Sequence, residues 1–346
     1  MAALLAGGFF VSTLAALALA ALSGLCLVAA FRGLARPSVG VVALGFVTLW
    51  TAASFLWNGS DSLRAALLPL LYASALWLAE QGDRRVSLGV LRVAILIVAL
   101  LALGGRALGL APTAGASSER LQWPVTYANG LGLIAATGVL LWLGLPARRP
   151  WAARAAAGAC GLVLVLTFSR GAAIGLLVGA TVLLLLAGRI PRRGALAAAG
   201  VAVAAALLAG PAIVSHFSAS SPDSRDARRF FDLSGNGRAR IWHEAWRKAR
   251  SHPVVGIGPG SFRSRIGGSS AHSLELQSLV DLGLVGLLGI AVFLVAGVQA
   301  VRGSPVAAAV FALWLVVASI DWVWQLPACT LPALLAAAGG SVRRVG

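Results

Sequence analysis

A histidine and two carboxylates stand at the start of a long apolar run, in the stretch SSAHSLELQSLVDLGLVGLLG at residues 269–289. His272 opens the run, Glu275 follows one helical turn later, and Asp281 lies deeper. Imidazole accepts and releases protons near neutral pH, and a carboxylate can orient it or hold a hydroxyl group. A lone histidine here would be interpreted as a cap or an interfacial residue. The acidic neighbours favour proton transfer, with His272 and Glu275 as the catalytic candidates.

Arginines recur at three- and four-residue spacing in a second stretch, RARIWHEAWRKARSHP, at residues 238–253. The spacing predicts an amphipathic helix over about 236–251 that ends before Pro253. Its polar face carries Arg240, His243, Arg247 and Arg250. Its apolar stripe consists of Ile241, Trp242, Ala245, Trp246 and Ala249. Such a helix can lie flat on a membrane, or its arginines can bind phosphate oxygens, and the two are compatible because a lipid-linked phosphate lies at that depth.

Other polar candidates lie at predicted helix ends. Tyr127 and Asn129, in TYANGLG, fit an interfacial aromatic residue and a helix cap, and are also candidates for substrate binding or structural support. Ser169 and Arg170, in TFSRGAAIG, lie in a very short turn, where an outer arginine favours a functional role over a snorkelling side chain. Asp321 lies at the outer end of another predicted span.

Glycines at 256, 258 and 260, in PVVGIGPGSFRS, resemble a phosphate-cradling loop. That interpretation is weak, because no strand precedes them and no helix start follows. A tight turn that lets the backbone pack close to neighbouring helices is favoured.

These residues are embedded in a very apolar chain. Of its 346 residues, 59% are hydrophobic and 11% are charged, which excludes an ordinary soluble domain and indicates a polytopic membrane protein. Apolar runs of about 20 residues without alternating polarity predict an all-α fold rather than a barrel. We expect about eleven transmembrane helices, near 8–31, 40–57, 65–79, 87–104, 125–145, 152–168, 171–188, 195–215, 274–301, 305–325 and 326–340. Pro327 and Pro332 interrupt the last of them.

The expected organisation has three parts. About eight transmembrane helices occupy 1–215, a larger loop with the amphipathic helix occupies 216–271, and two or three transmembrane helices occupy 272–346. The first apolar run is expected to be a retained helix rather than a secretory signal, because no basic residue precedes it and it exceeds a typical signal core.

The net charge of +17 follows the positive-inside rule rather than nucleic-acid binding. Loops are numbered from the N-terminus, as the connections between successive predicted spans. The arginine clusters of the short loops, at 32–36, 84–85, 148–154, 189–193 and 302, all fall in odd-numbered loops, which predicts that these loops are cytoplasmic. The N-terminus and the 216–271 loop would then face the outside, and the C-terminus the cytoplasm. Cys26, Cys160 and Cys329 lie in apolar segments without ligand spacing, so neither a structural zinc site nor a disulfide framework is expected.

Four segments in order, TYANGLG, TFSRGAAIGLLVG, RARIWHEAWRKARSHPVVGIGPGSF and AHSLELQSLVDLGLVGLLG, resemble the O-antigen ligase and polymerase superfamily over about residues 120–325. The resemblance implies about twelve transmembrane helices of GT-C-like type in the inner membrane and a large periplasmic loop. It implies transfer of a glycan from an undecaprenyl-diphosphate carrier to an acceptor hydroxyl, the lipid A core or another glycan, without a nucleotide-sugar donor, a metal ion or another cofactor.

The resemblance also assigns roles to residues. It implies that Arg170 and Arg240 bind the diphosphate, with Arg238 and Arg247 as alternatives, and that His272 is catalytic. The ten residues between His272 and Gly283 fit the family spacing. Tyr127, Asn129, Ser169, Trp242, Asp281 and Asp321 are expected to support the substrate or the site.

The chain departs from the family pattern in three respects. No leucine follows Arg238 or Arg240 at four residues, the hydrophilic loop is shorter than in a typical ligase, and one N-terminal helix fewer is expected. A polymerase of the same superfamily therefore remains an alternative. A lipid or glycolipid transporter is disfavoured, because charges gather at one face and no repeat is detected.

Overall fold

The computed structural model describes residues 36–109, 120–189, 238–264 and 270–338. These residues form helices and turns, and no strand occurs among them, in agreement with the predicted all-α class. The predicted spans at 8–31 and 195–215, Cys26, and the predicted loop before Arg238 lie outside the described residues.

Each of the nine predicted spans that fall in the described ranges overlaps a helix. In chain order the described helices are α1 (Val39–Ala53), α2 (Phe55–Asn58), α3 (Asp61–Glu80), α4 (Arg84–Ala107), α5 (Ala128–Gly144), α6 (Pro150–Leu166), α7 (Arg170–Leu186), α8 (Arg238–Ser251), α9 (Leu274–Val301), α10 (Pro305–Ile320) and α11 (Pro327–Ala337). A 3₁₀ turn at Val323–Gln325 precedes α11. The predicted span 40–57 is divided between α1 and α2, and the predicted amphipathic helix is α8.

Among the described residues, four stretches are long and apolar enough to cross a membrane: Val39–Asn58, Asp61–Glu80, Arg84–Ala107 and Leu274–Val301. The helices α5, α6, α7, α10 and α11 are apolar but have 10–17 residues, fewer than the about 20 that a hydrocarbon core demands. The chain is therefore a helical membrane protein. The number of about eleven spans stays a prediction.

One compact unit consists of the described residues 89–109, 120–189 and 304–317. Within it, α5 packs against α6 and α7. A Cβ atom on Gly132 would lie 2.8 Å from the Ser169 Cβ and 2.8 Å from the Thr167 Oγ1, too close for ordinary packing. This glycine of the TYANGLG motif lets α5 lie directly against the turn between α6 and α7.

The second compact unit consists of the described residues 36–88, 238–264, 270–303 and 318–338. Within it, α1 packs against α3 and α9, and α8 packs against α9. A buried apolar cluster joins α8 to its surroundings and contains Ile241, Ala245, Ala249, Phe262, Ala271 and Val280. This cluster positions α8 beside the start of α9, where His272 and Glu275 lie.

The buried face of α8 differs from the predicted apolar stripe. Trp246 is 52% exposed and Glu244 is buried, with a Glu244 carboxylate oxygen accepting a hydrogen bond from the Ser264 hydroxyl at 2.8 Å. The α8 residues in the buried cluster, Ile241, Ala245 and Ala249, are spaced four residues apart. Trp246 follows Ala245 by one position, so its side chain is rotated by about 100° around the helix axis from this buried row. The predicted polar row agrees with the structure, since Arg240, His243, Arg247 and Arg250 are all exposed.

The predicted continuous span at 274–301 is broken. At Gly283 the backbone adopts φ 67° and ψ −165°, which divides α9 into helical segments at 274–282 and 284–301. A break inside an apolar helix leaves backbone groups that hydrocarbon cannot satisfy.

The glycine-rich loop after α8 supplies the missing partners. Its hydrogen bonds run from the amides of Ile257 and Gly258 to the carbonyls of Val280 and Asp281, and from the amides of Leu284 and Val285 to the carbonyls of Pro253 and Val254. The Trp50 indole donates to the Leu282 carbonyl at 2.9 Å. A Cβ atom on Gly256 would lie 2.4 Å from the Asp281 carbonyl. The loop glycines therefore permit close backbone packing, in line with the favoured interpretation of this motif.

Candidate active site

His272 is held in an uncommon backbone conformation just before α9. Its φ of 51° lies in the left-handed region, which costs free energy for a residue with a Cβ atom and recurs at functional sites. The His272 amide donates to the Ser270 hydroxyl at 3.1 Å, and the His272 Nδ1 lies 3.0 Å from the Ser270 carbonyl oxygen. Since a carbonyl oxygen only accepts, Nδ1 carries the proton in the neutral ring, and Nε2 keeps its lone pair. This tautomer suits a proton acceptor at Nε2.

A buried glutamine fixes the residue that precedes His272. The Gln277 Oε1 accepts a hydrogen bond from the Ala271 amide at 2.6 Å, and the Gln277 Nε2 donates to the Asp281 Oδ2 at 2.8 Å. Gln277 and Ala271 are both deeply buried. Asp281, expected as a supporting residue, is thus connected through Gln277 to the segment that precedes His272.

Glu275 is held by two serines rather than by His272. Its Oε1 accepts from the Ser319 hydroxyl at 2.7 Å, and its Oε2 accepts from the Ser273 hydroxyl at 3.0 Å. Ser273 also caps α9, since its hydroxyl accepts from the Leu276 amide at 3.3 Å. The carboxylate therefore ties the start of α9 to the end of α10, and within the described residues it makes no hydrogen bond to His272.

An ion pair ties the start of α8 to the same segment. The Arg238 Nη2 lies 3.0 Å from the Asp321 Oδ2, and the two side chains are 24% and 4% exposed. The other Asp321 oxygen accepts from the Trp322 amide at 2.7 Å. Arg238 and Glu275 thus contact positions only two residues apart, Asp321 and Ser319. The second unit brings a cation, two carboxylates and the histidine segment into one neighbourhood.

The remaining α8 candidates divide by exposure. Arg240 and Arg247 are exposed, so both are accessible to a ligand. Trp242 lies one turn after Arg238 and is half-buried, and its indole Nε1 is a buried donor without a hydrogen-bond partner among the described residues. An unpaired buried donor of this kind is costly unless a ligand or water satisfies it.

The first unit carries its own polar cluster, formed by Tyr127, Asn129 and the turn between α6 and α7. The Asn129 amide donates to the Tyr127 hydroxyl at 3.0 Å. Ser169 caps α7, since its hydroxyl accepts from the Ala172 amide at 3.4 Å. The half-buried Arg170 is the first residue of α7. The predicted short turn is thus present, and it places an arginine at a helix start.

Arg120 belongs to this cluster and was not among the sequence candidates. Its Nε donates to the Thr167 carbonyl at 2.8 Å, and its Nη2 donates to the Asn129 Oδ1 at 2.5 Å. The sequence did offer a signal for Arg120. This arginine lies in an even-numbered loop, which is predicted to face the outside, and an arginine on the outer side was the criterion that singled out Arg170. Gln277 and Ser319 carried no comparable signal, since neither is charged or unusual in its segment.

A comparison with known families supports the resemblance seen in the sequence. Residues 155–291 match the family model described as O-antigen ligase. The matched segment begins within α6, includes Arg170, α8 and His272, and ends within α9 beyond Gly283. Members of this family are membrane glycosyltransferases. The comparison with curated proteins gave no match. Residues 155–291, less than half of the chain, are thus similar to the O-antigen ligase family.

Proposed function

We propose that this membrane protein transfers a glycan from an undecaprenyl-diphosphate carrier to an acceptor hydroxyl on the lipid A core or another glycan, at the periplasmic face. The observation that supports this most is the state of His272. Its Nδ1 is engaged by the Ser270 carbonyl, which leaves Nε2 for the acceptor. Hydroxyl groups are poor nucleophiles, and a positioned base contributes about 10²–10⁴-fold to such a step.

The proposed reaction is a single displacement. The acceptor hydroxyl oxygen forms a bond to the anomeric carbon while its proton passes to the His272 Nε2. The bond from the anomeric carbon to the diphosphate oxygen breaks, and the electron pair leaves with the diphosphate. Attack from the face opposite the leaving group inverts the anomeric configuration. The donor already stores the energy of the bond, so we expect no nucleotide and no metal ion to be required.

Guanidinium groups are proposed to receive the charge on the leaving diphosphate. Arg170 and Arg240 are the first candidates, and Arg247 shares the exposed face of α8 with Arg240. Cations placed where charge develops stabilise the transition state more than the ground state. Arg238 is better suited to holding α8 in place, because its guanidinium pairs with Asp321.

Glu275 is proposed to position rather than to exchange protons. Both of its oxygens already accept hydrogen bonds from serine hydroxyls. Tyr127, Asn129 and Ser169 are proposed to support the turn that presents Arg170. Trp242 is proposed to offer its unpaired indole N–H to the substrate.

The experiment that tests this function is glycan transfer by the purified protein from an undecaprenyl-diphosphate-linked donor, with EDTA present throughout. The acceptors are lipid A core and a second copy of the donor glycan. Labelled lipid A core identifies a ligase, and elongated donor identifies a polymerase. Nuclear magnetic resonance of the product linkage should show inversion. Absence of transfer to either acceptor would contradict the proposal.

The roles of the arginines are tested in the same assay. Arg240→Ala and Arg170→Ala should each lower kcat/KM by about tenfold or more, as expected for losing a charge-assisted contact. Arg302→Ala provides the control, because Arg302 is an exposed arginine beyond the far end of α9. Equal losses in all three variants would remove the assignment of the diphosphate to Arg170 and Arg240.

A further inference from the structure

An open cavity of about 570 Å³ lies between α5, α6 and α7 in the first unit. Its volume falls within the range of about 300–1,000 Å³ typical of small-molecule sites. Its lining includes Leu140, Leu143, Leu176, Ala180 and Leu183, and two cations, Arg154 and Arg189. The described lining contains no acidic residue.

The polarity of this cavity is graded along the helices. Leu176, Ala180, Leu183 and Leu184 lie on one stripe of α7, which at 1.5 Å per residue extends over about 12 Å of apolar wall. Arg189 follows the end of α7, and Arg154 lies in the first turns of α6. One cation therefore lies near the start of α6 and the other just after the end of α7. The apolar wall extends from there along α7.

Neither arginine is committed elsewhere. In the ranges that the structure describes, the guanidinium groups of Arg154 and Arg189 have no hydrogen-bond or ion-pair partner, and both side chains are exposed. By contrast, Arg92 donates to the Pro146 carbonyl at 2.9 Å and lies 4.8 Å from the centre of the Trp142 ring. Trp142, part of the cavity lining, donates to the Arg92 carbonyl. The wall that contains Trp142 is thus held by Arg92, and this contact does not involve Arg154 or Arg189.

We propose that this cavity binds an anionic phospholipid, with an acyl chain along the apolar wall and the phosphate between Arg154 and Arg189. A soluble anion would not need the apolar wall, and a neutral lipid would not need the cations. Basic pockets between transmembrane helices have the chemistry that anionic headgroups require. None of the lining residues is among those assigned to glycan transfer, and the test of this proposal does not depend on that activity.

The surrounding arginines offer a matched control. Arg148 and Arg149 lie in the connection between α5 and α6. Both are exposed, and neither lines the cavity. They satisfy the positive-inside bias equally well. A specific site therefore predicts a difference between the two pairs, and general surface attraction predicts none.

The experiment is native mass spectrometry of the full-length protein in detergent, titrated with dioleoyl phosphatidylglycerol or dioleoyl phosphatidylcholine. The wild type should bind phosphatidylglycerol at least tenfold more tightly than phosphatidylcholine. The pair Arg154→Gln with Arg189→Gln should lose about tenfold or more of this affinity, and the pair Arg148→Gln with Arg149→Gln should keep it. Ala180→Phe, which fills the cavity and leaves both cations in place, should also weaken binding.

Thermal unfolding of each variant establishes that it is folded before binding is compared. Equal loss in the two arginine pairs would overturn the proposal, because surface charge alone would explain binding. Unchanged affinity in Ala180→Phe would overturn the acyl-chain assignment. Absence of bound phosphatidylglycerol in the wild type would overturn the proposal.

Discussion

At the scale of single residues, the histidine is controlled by neighbours that carry no charge. Ser270 fixes the His272 ring and amide, and Gln277 fixes the preceding amide. The residue types and spacing of the site were predictable, because a histidine and carboxylates at the start of an apolar run are unusual. The left-handed conformation and the role of Gln277 were not, since both depend on how the chain enters α9.

Gln277→Leu should lower kcat for glycan transfer by about tenfold to a hundredfold and change the donor KM little. The reason is that the substitution frees the Ala271 amide and lets the His272 ring drift, and a displacement of about 1 Å can cost two orders of magnitude in rate. Steady-state kinetics separate kcat from KM.

Ser278→Ala is the matched control, because Ser278 is a buried polar residue of α9 whose hydroxyl donates to the Leu274 carbonyl and, among the described residues, makes no hydrogen bond to the histidine segment. It should retain nearly wild-type kcat. If Gln277→Leu raised KM and left kcat unchanged, Gln277 would not position His272.

Asp321→Asn should destabilise the protein by about 3 kcal/mol, because it leaves Arg238 without its counter-charge in a largely buried pair. Asp321 is only 3% exposed. The measurement is unfolding in detergent micelles, with Arg238→Gln and the double variant completing a mutant cycle.

Arg240→Gln, two positions along α8 on its exposed face, should stay within about 0.5 kcal/mol of the wild type. Strictly additive effects of Asp321→Asn and Arg238→Gln would show that the ion pair contributes nothing to stability.

At the scale of elements, the break in α9 and the loop that fills it form one structure. Helix positions were predictable from apolar runs, and the amphipathic helix from its arginine spacing and from Pro253. The break was not, because a single glycine in an apolar run is compatible with a continuous helix. The partners from the loop at 253–258, together with the Trp50 indole, satisfy backbone groups that the break would otherwise leave unpaired in hydrocarbon.

Gly283→Ala should destabilise the protein severely or prevent folding. A Cβ atom there would lie 2.1 Å from the Val254 carbonyl oxygen. The alanine would also have to keep the positive φ of Gly283, which is strained for a residue with a Cβ atom. Gly260→Ala separates these two causes, because Gly260 has a φ of 76° and open space around its Cβ position.

Gly260→Ala should cost only about 1–2 kcal/mol, the conformational penalty of a left-handed residue. Both variants are compared by thermal unfolding in detergent and by yield of folded protein. Equal destabilisation would mean that the close approach of the loop to α9 is unimportant.

At the scale of the whole molecule, composition alone predicts a helical membrane protein, since 59% of the residues are hydrophobic. The orientation rests on the distribution of arginines among loops. Counting spans is harder than locating helices. The helices α5, α6 and α7 have 17 residues each, so hydropathy predicts a helix at each position while its length falls short of the about 20 residues of a full span.

Cysteine labelling tests the orientation. In a variant whose three native cysteines are replaced, His243→Cys on the exposed face of α8 should react with a membrane-impermeant maleimide in right-side-out vesicles. Gly303→Cys, after α9, should react only once detergent is added, because the arginine bias places that end in the cytoplasm. The opposite pattern would reverse the orientation.

The most direct test of the catalytic assignment is the rate of glycan transfer by His272→Ala beside the wild type and His252→Ala, with folding verified by unfolding curves. His252 is exposed and follows the last residue of α8, so its removal should leave the rate unchanged. Loss of the base should lower kcat by about 10² or more. Transfer by folded His272→Ala at the wild-type rate would show that His272 does not carry the proton.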